Sequence, residues 1–315
     1  MSVGDNIKKR RYELRMSQQE LALAMGYKTR STIAKIESGE NDVSQKKLQK
    51  FAMVLDTTVA NLVSGYNGEI PIVISDIDNE NRNKNIVVIL AGGKTGKNRQ
   101  NIPSQFINVG GKPVIVYPME VYQSHPAIDE IYIVCLKGWE NIVKAYASQY
   151  GITKLKGIVA AGVSGISSFK NALDYLNTKF SDEDYVIIQE ATRPLVTIET
   201  VSVLLREAQE KGSATACHLM NDYVQFNMST LAPRYIDRET TVAMQSPEVH
   251  KISIMNDVFA KAERKNHPLT ESCCTLLMYN LGFKVNFVET AVNNIKISRE
   301  EDLAAFSAII KSQEQ

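Results

Sequence analysis

The sequence predicts a small all-α head followed by a larger α/β body with a mainly parallel sheet. Three observations carry this. Residues 3 to about 65 hold short helical stretches with tight turns and no strand-like run. From residue 86 onward, Val/Ile-rich runs at 86–90, 131–135, 185–188 and 284–288 alternate with helical stretches at 113–123, 139–150, 167–179 and 197–211. That alternation is the pattern of buried parallel strands joined by crossover helices. Between the two regions, residues 76–85 are almost wholly polar. The boundaries therefore read 1–66 for the head, 67–84 for a linker and 85–315 for the body. Residues 70–74 read either as a short strand or as part of the tether.

Composition narrows the class. The chain has 315 residues, 44% hydrophobic and 23% charged, which is globular rather than disordered. The net charge is +1, but it is unevenly spread. Residues 1–66 carry 11 Lys/Arg against 7 Asp/Glu, and the remainder carries 25 against 28. A basic head on a slightly acidic body suits a head that meets a polyanion. The four cysteines form no CxxC pair, and two are adjacent. Reduced thiols and a cytoplasmic protein are expected. The charged start predicts no signal peptide, and the longest apolar run, 86–91, is too short for a bilayer.

Along the head, Ser17-Gln18-Gln19-Glu20 reads as a capping box. Leu21, Ala22 and Met25 give that helix one apolar face, and Gly26 ends it. A second helix within 29–38 turns Ile33 and Ile36 inward and stops at Gly39. Ser44 caps a third, with Leu48, Phe51, Ala52 and Leu55 on its apolar side. Thr57 or Thr58 caps a last short one. Two short helices around a tight glycine turn, with flanking helices making the core, is the helix-turn-helix plan. The whole run resembles the Cro/C1-type (Xre-like) helix-turn-helix family. The resemblance implies a double-stranded DNA partner, with Thr29, Arg30, Ser31, Thr32 and Lys35 entering the major groove and Gln18 at a phosphate. Arg30 suits guanine and Thr32 a thymine methyl. Lys28, Lys35 and the 8–11 cluster suit phosphates. The alternative is a small helical bundle that docks only on protein.

In the body, the first strand runs into Ala91-Gly92-Gly93-Lys94-Thr95-Gly96-Lys97. A glycine-rich loop after a strand lets backbone N–H groups approach phosphates. The Walker A spacing fails, because it needs Gly at Ala91 and Ser or Thr at Asn98. The dinucleotide GxGxxG spacing fails as well.

The wider pattern is more specific. The segment "ILAGGKTGKNRQNIPSQFINVGGKPVIVYPMEVY" resembles the opening of cytidylyltransferases that make CDP-methylerythritol or CDP-ribitol. "GVSGISSFKNAL", "IIQEATRPLV", "IDRETTVAMQSPE", "LTESC" and "NNIKISREEDL" follow in that family's order, over about 85–312. The resemblance implies a Rossmann-like, glycosyltransferase-A-like nucleotidyltransferase fold, CTP or a CDP-sugar or polyol phosphate as ligand, magnesium, and a homodimer whose arm completes the neighbour's site. Carried over by motif, Lys97, Lys296 and Arg238 are the catalytic cations. Ala91, Gly92, Gly93, Lys94, Ser168 and Ser246 are nucleotide-binding, and Glu190 and Glu271 are metal ligands. Two family cations are missing, at Ser104 and Gly165; Lys94 or Arg99 would have to substitute.

That chemistry asks for positioned anions and neutralised charge rather than covalent work by the protein. Three functions are open. The first is a DNA-binding regulator whose body senses a nucleotide or CDP-polyol. The second is a working cytidylyltransferase that carries a DNA-binding head. The third is a protein scaffold. Arg193 reads as a structural pin, the four histidines lack ligand spacing, and Trp139 reads as packing. Glu271 also fits a helix-start acid.

Overall fold

In the computed structural model the described residues are 2–14, 16–27, 29–41, 43, 45–55, 57, 62, 82–93, 102–220, 224–227, 234–238, 240–290 and 294–313. Lys28, Ser44, Thr58, Lys94, Lys97, Arg99 and the linker up to residue 81 lie outside them. The chain divides into two compact units, Met1–Ile74 and Ser75–Gln315.

The first unit holds α1 (Val3–Glu13), α2 (Gln18–Ala24), α3 (Ser31–Glu37) and α4 (Gln45–Val54). α2 starts where predicted: the Glu20 N–H donates to Ser17 Oγ at 3.1 Å, and the Ser17 N–H donates back to the Glu20 carboxylate at 2.6 Å. Gly26 follows with φ +76°, the left-handed turn that a side chain would strain. All nine predicted apolar residues are buried in one cluster, joined by Ile7 and Leu62. Inside it lies one ion pair, Arg11 with Glu37, at 2.7 and 2.9 Å. The two side chains are only 4% and 2% exposed. Arg11 is therefore not a phosphate contact as predicted. It is turned inward, where it also donates to the Met16 carbonyl.

The second unit is a seven-stranded sheet with strand order β11-β7-β10-β6-β1-β4-β5. The strands are β1 (Asn85–Ala91), β4 (Glu130–Cys135), β5 (Leu155–Ala160), β6 (Tyr185–Glu190), β7 (Ser213–Leu219), β10 (Val242–Lys251) and β11 (Phe287–Glu289). β1 pairs in parallel with both β4 and β6, and β5 with β4 and β11 with β7 are parallel too. β10 runs antiparallel between β6 and β7. β2 (Asn108–Val109) and β3 (Lys112–Pro113) form a small hairpin, and β8 (Gln225–Asn227) and β9 (Arg234–Ile236) another.

Helices cover both faces, as a buried parallel sheet requires. α5 (Val116–Ser124), α6 (Glu140–Gln149) and α8 (Ile198–Lys211) pack on one face with Val87 and Ile89 of β1. α7 (Gly165–Leu176), α9 (Ile252–Arg264) and α10 (Cys274–Asn280) pack on the other with Ile86 and Val88. The alternation along β1 is the period of two of a strand. α11 (Glu300–Gln313) closes a smaller cluster over the β2–β3 hairpin through Phe306 and Ile310.

Three expectations shift. The helix read at 113–123 begins at Val116, because Pro113 pairs with Asn108 in the hairpin. The strand read at 284–288 is Phe287–Glu289, the stretch that pairs with β7. β5, β7 and β10 lack a long Val/Ile run; small residues in β7 and polar ones in β10 conceal them from a hydrophobic reading.

Candidate functional site

The site lies where β1 and β6 end side by side. β4 and β5 lie to one side of β1 and β6 to the other, so the connections diverge and leave a crevice beyond the strand ends. A cleft of about 710 Å³ fills it, and Gly92, Gly93, Ser104, Gly165, Ser168, Glu190, Ser246 and Lys296 all line it.

The glycine turn is built from the sequence upward. Gln105 Nε2 donates to the carbonyls of Ala91 and Gly93, both at 2.9 Å. This buried amide staples the turn to the strand end. Ala91 itself is 1% exposed, so its side chain belongs to the core rather than to the cleft. A Cβ at Gly92 would stand 2.6 Å from Ala161 Cβ, so only glycine allows this approach. Opposite, Ser164 caps α7 by accepting from the Ser167 N–H, and Ser168 Oγ accepts from the Gly162 N–H at 3.0 Å. Ser246 Oγ accepts from the Glu190 N–H at 3.2 Å, holding the end of β6.

The charged edge spans distant sequence. Lys296 Nζ donates to Glu190 Oε1 at 2.5 Å, and Arg193 Nε to Glu190 Oε2 at 2.7 Å. Arg193 Nη1 also donates to the Asn294 carbonyl at 2.9 Å, and the Ile297 N–H to the Thr192 carbonyl at 2.8 Å. These bonds stitch 190–193 to 294–297. Burial by itself pushes the Glu190 carboxyl upward, but the Lys296 ammonium and Arg193 guanidinium outweigh it and hold it below its ordinary value. Arg193, read as a pin from sequence, is both pin and cleft wall.

Glu271 does not join this edge. Its Oε1 accepts from His267 Nε2 at 2.6 Å and from Asn280 Nδ2 at 3.0 Å. Burial raises its carboxyl, and these neutral and histidine donors outweigh that to lower it. Its neighbours Ser272 and Cys273 line the cleft instead. Of the two expected metal ligands, Glu271 is not among the residues that line the cleft, and both oxygens of Glu190 are taken by cations. Among the described residues no group of three or more His, Cys, Asp or Glu side chains is placed to hold a metal. Among the described residues, the side chains that line the cleft do not by themselves form a dedicated divalent-metal site.

Sequence reasoning missed Glu248, a buried acid on the cleft wall that accepts from the Thr275 N–H and hydroxyl, both at 2.7 Å. It also missed Cys273, whose thiol burial pushes up to about 11, with Glu248 adding to the shift. A reactive-residue motif would flag neither; the strand pairing of β10 brings Glu248 to the cleft, and Cys273 reaches it as the N-cap residue of α10. Arg238 sits exposed beyond β9, outside the residues that line the cleft.

In the head, Arg30 immediately precedes α3, exposed, and Lys35 is exposed along it. Thr29 Oγ1 and Ser31 Oγ share a hydrogen bond at 2.8 Å, and Thr32 is half-buried. Gln18 Nε2 is held by Glu37 Oε2 at 2.9 Å, so the buried ion pair also orients the first side chain of α2.

Comparison with known proteins agrees with this division. The 2-C-methyl-D-erythritol 4-phosphate cytidylyltransferase family matches residues 85–312, and a helix-turn-helix family matches 7–62. A ribitol-5-phosphate cytidylyltransferase of Lacticaseibacillus paracasei is 31% identical over 229 residues, which are 72% of this chain and 98% of that protein. A 2-C-methyl-D-erythritol 4-phosphate cytidylyltransferase of Clostridium botulinum is 29% identical over 72% of this chain and 98% of its own length. Among solved structures, 4-diphosphocytidyl-2C-methyl-D-erythritol synthase from Anaerococcus prevotii superposes with TM-score 0.62 at 18% identity, covering 73% of this chain and 96% of that one. The chain therefore belongs to the 2-C-methyl-D-erythritol 4-phosphate cytidylyltransferase family, with a helix-turn-helix domain ahead of its transferase domain.

Proposed function

We propose that the body is a CTP-dependent cytidylyltransferase acting on a pentitol phosphate, ribitol 5-phosphate being the first candidate, and that the head carries this activity to DNA. The observation that carries it is the convergence of Lys296, Arg193, the Gly92–Gly93 turn and Ser168 on one cleft. The ribitol-5-phosphate cytidylyltransferase of L. paracasei matches at 31% identity, against 29% for the C. botulinum methylerythritol-phosphate enzyme over the same length, and this supports the choice of acceptor. In the proposed reaction an oxygen of the polyol phosphate attacks the α-phosphorus of CTP. A new P–O bond forms, the bond to the β-phosphate breaks, and pyrophosphate leaves with the electron pair. The attacking phosphate is already ionised, so no general base is needed. Lys296 and Arg193 neutralise the charge that gathers between the two anions, and Lys94 and Lys97 are proposed to join them from the glycine turn.

The domains are proposed as 1–66, 67–84 and 85–315. Ser246, Ser168 and the glycine turn are proposed as the nucleotide cradle, and magnesium is proposed to enter only as a companion of the triphosphate. Arg238, on the exposed arm, is proposed to serve the neighbouring subunit of a homodimer. Thr29, Arg30, Ser31, Thr32, Lys35, Gln18 and Lys28 are proposed as the DNA contacts, and the unbonded cysteines suit the cytoplasm.

A second reading, a ligand-responsive transcriptional regulator, is favoured by two wall positions. Ser104 and Gly165 line the cleft where the family has cations. Loss of such a cation costs rate more than binding. The deciding measurement is pyrophosphate release from CTP and ribitol 5-phosphate, beside a binding titration with CTP. Release supports the enzyme; binding without release supports the regulator; absence of both removes both readings. A Cβ at Gly165 meets nothing nearer than the Ser272 carbonyl at 3.8 Å. The backbone at 165 therefore admits a Cβ, and a Gly165→Arg variant raises release only if the missing cation limits the rate.

A further inference from the structure

Among the described residues, the two cations that line the cleft are not free to receive a ligand. Lys296 holds one oxygen of Glu190 and Arg193 holds the other. A phosphate presents a pair of oxygens with nearly the same spacing as a carboxylate, and guanidinium and ammonium groups bind both in the same way. Glu190 thus fills its receptors as a phosphate would. Arg193 stays in place without it, anchored on the Asn294 carbonyl, and the main chain beside Lys296 is tied to the end of β6 by the Ile297 N–H on the Thr192 carbonyl. The nearby acid Glu248 is held through its Oε2 by the Thr275 N–H and hydroxyl. The Glu190 side chain is 30% exposed and Lys296 is 47% exposed, so the carboxylate has room to swing away.

We propose that Glu190 is a built-in competitor for phosphate, an internal anion that a ligand must displace from Lys296 and Arg193 in order to bind. The proposal rests on the reading of this cleft as a phosphate-ligand site and adds what sets its threshold. A dianionic phosphate monoester or a pyrophosphate outcompetes the single carboxylate charge. A neutral polyol or nucleoside does not engage it at all.

Calorimetric titration of the full-length protein tests this with two phosphate probes, ribitol 5-phosphate and inorganic pyrophosphate, and with uncharged cytidine; a CTP titration beside them reports on the transferase reading. Glu190→Gln keeps the side-chain length and removes the competing charge. It binds both phosphate probes about tenfold tighter and cytidine unchanged. Glu190→Asp keeps the charge but is too short to hold both cations, and its gain is about threefold. Glu207→Gln, in a surface pair on α8, changes nothing. Phosphate affinities that are unchanged or weaker in the first two variants overturn the proposal. A shift of the same size for cytidine also overturns it, because that marks general loosening of the wall. If cytidine and CTP fail to bind while the phosphate probes still tighten in Glu190→Gln, the transferase reading falls and the competitor stands. If no probe binds either protein, both fall.

Discussion

The two units of this chain bury charge in opposite ways. In the head, Arg11 and Glu37 meet in an almost water-free interior, and their work is to hold α1 against α3 and to orient Gln18. In the body, Glu190, Arg193 and Lys296 meet at the rim of a cleft, partly wetted, with a neighbouring space large enough for a ligand. The chemistry of the pairs is the same. Burial decides which is structure and which is a site: a sealed pair cannot be exchanged for a ligand's charge, and a rim pair can.

The comparison breaks most readily at the sealed pair. Arg11→Ala leaves the Glu37 carboxylate buried without its cation, which costs about 3–5 kcal/mol. For a domain of this size that removes most of the folding free energy. Loss of operator-independent DNA retention in a gel-shift assay, with pyrophosphate release intact, is the expected result; a head that still binds DNA would make the pair dispensable. Lys296→Ala tests the rim pair. Release is expected to fall about a hundredfold or more, while the thermal midpoint moves little. A large drop in midpoint would recast Lys296 as structure.

A smaller effect probes the local rule in the head. Ser17→Ala removes one side of the capping box and is expected to cost about 1 kcal/mol in chemical denaturation of the head. The smallest effect compares the two predicted acids. Glu190 and Glu271 both have lowered folded-state values against an ordinary 4.5. Each therefore adds stability above the unfolded value, and that stability is lost as pH falls through the folded value. Denaturation midpoints followed downward from just above pH 4.5 should fall less steeply in Glu190→Gln and in Glu271→Gln than in the parent. Only the first substitution should also change phosphate affinity.

Much of this was legible before any coordinates. The capping box, the nine apolar positions of the head and the strand–helix alternation of the body follow from spacing. The family resemblance, rather than spacing, marked Lys296 and Glu190 individually. It misplaced Glu271, because a motif position says which residue is acidic and not which way its chain faces. Spacing overlooked β10, because that strand buries polar residues whose hydrogen bonds only the completed sheet supplies.

Local rules therefore determined the head: its helices are short, its caps lie within four residues, and its core repeats at helical period, so neighbours in sequence are neighbours in space. The alternation of Val/Ile-rich runs with helical stretches likewise determined that the body would be a layered α/β sheet. Only the tertiary structure decided the site. Glu190 and Lys296 are separated by 106 positions, and their meeting depends on β1 and β6 ending together and on the 294–297 segment lying across them. No periodicity encodes such a contact, because it is made by the packing of the whole sheet rather than by any one element.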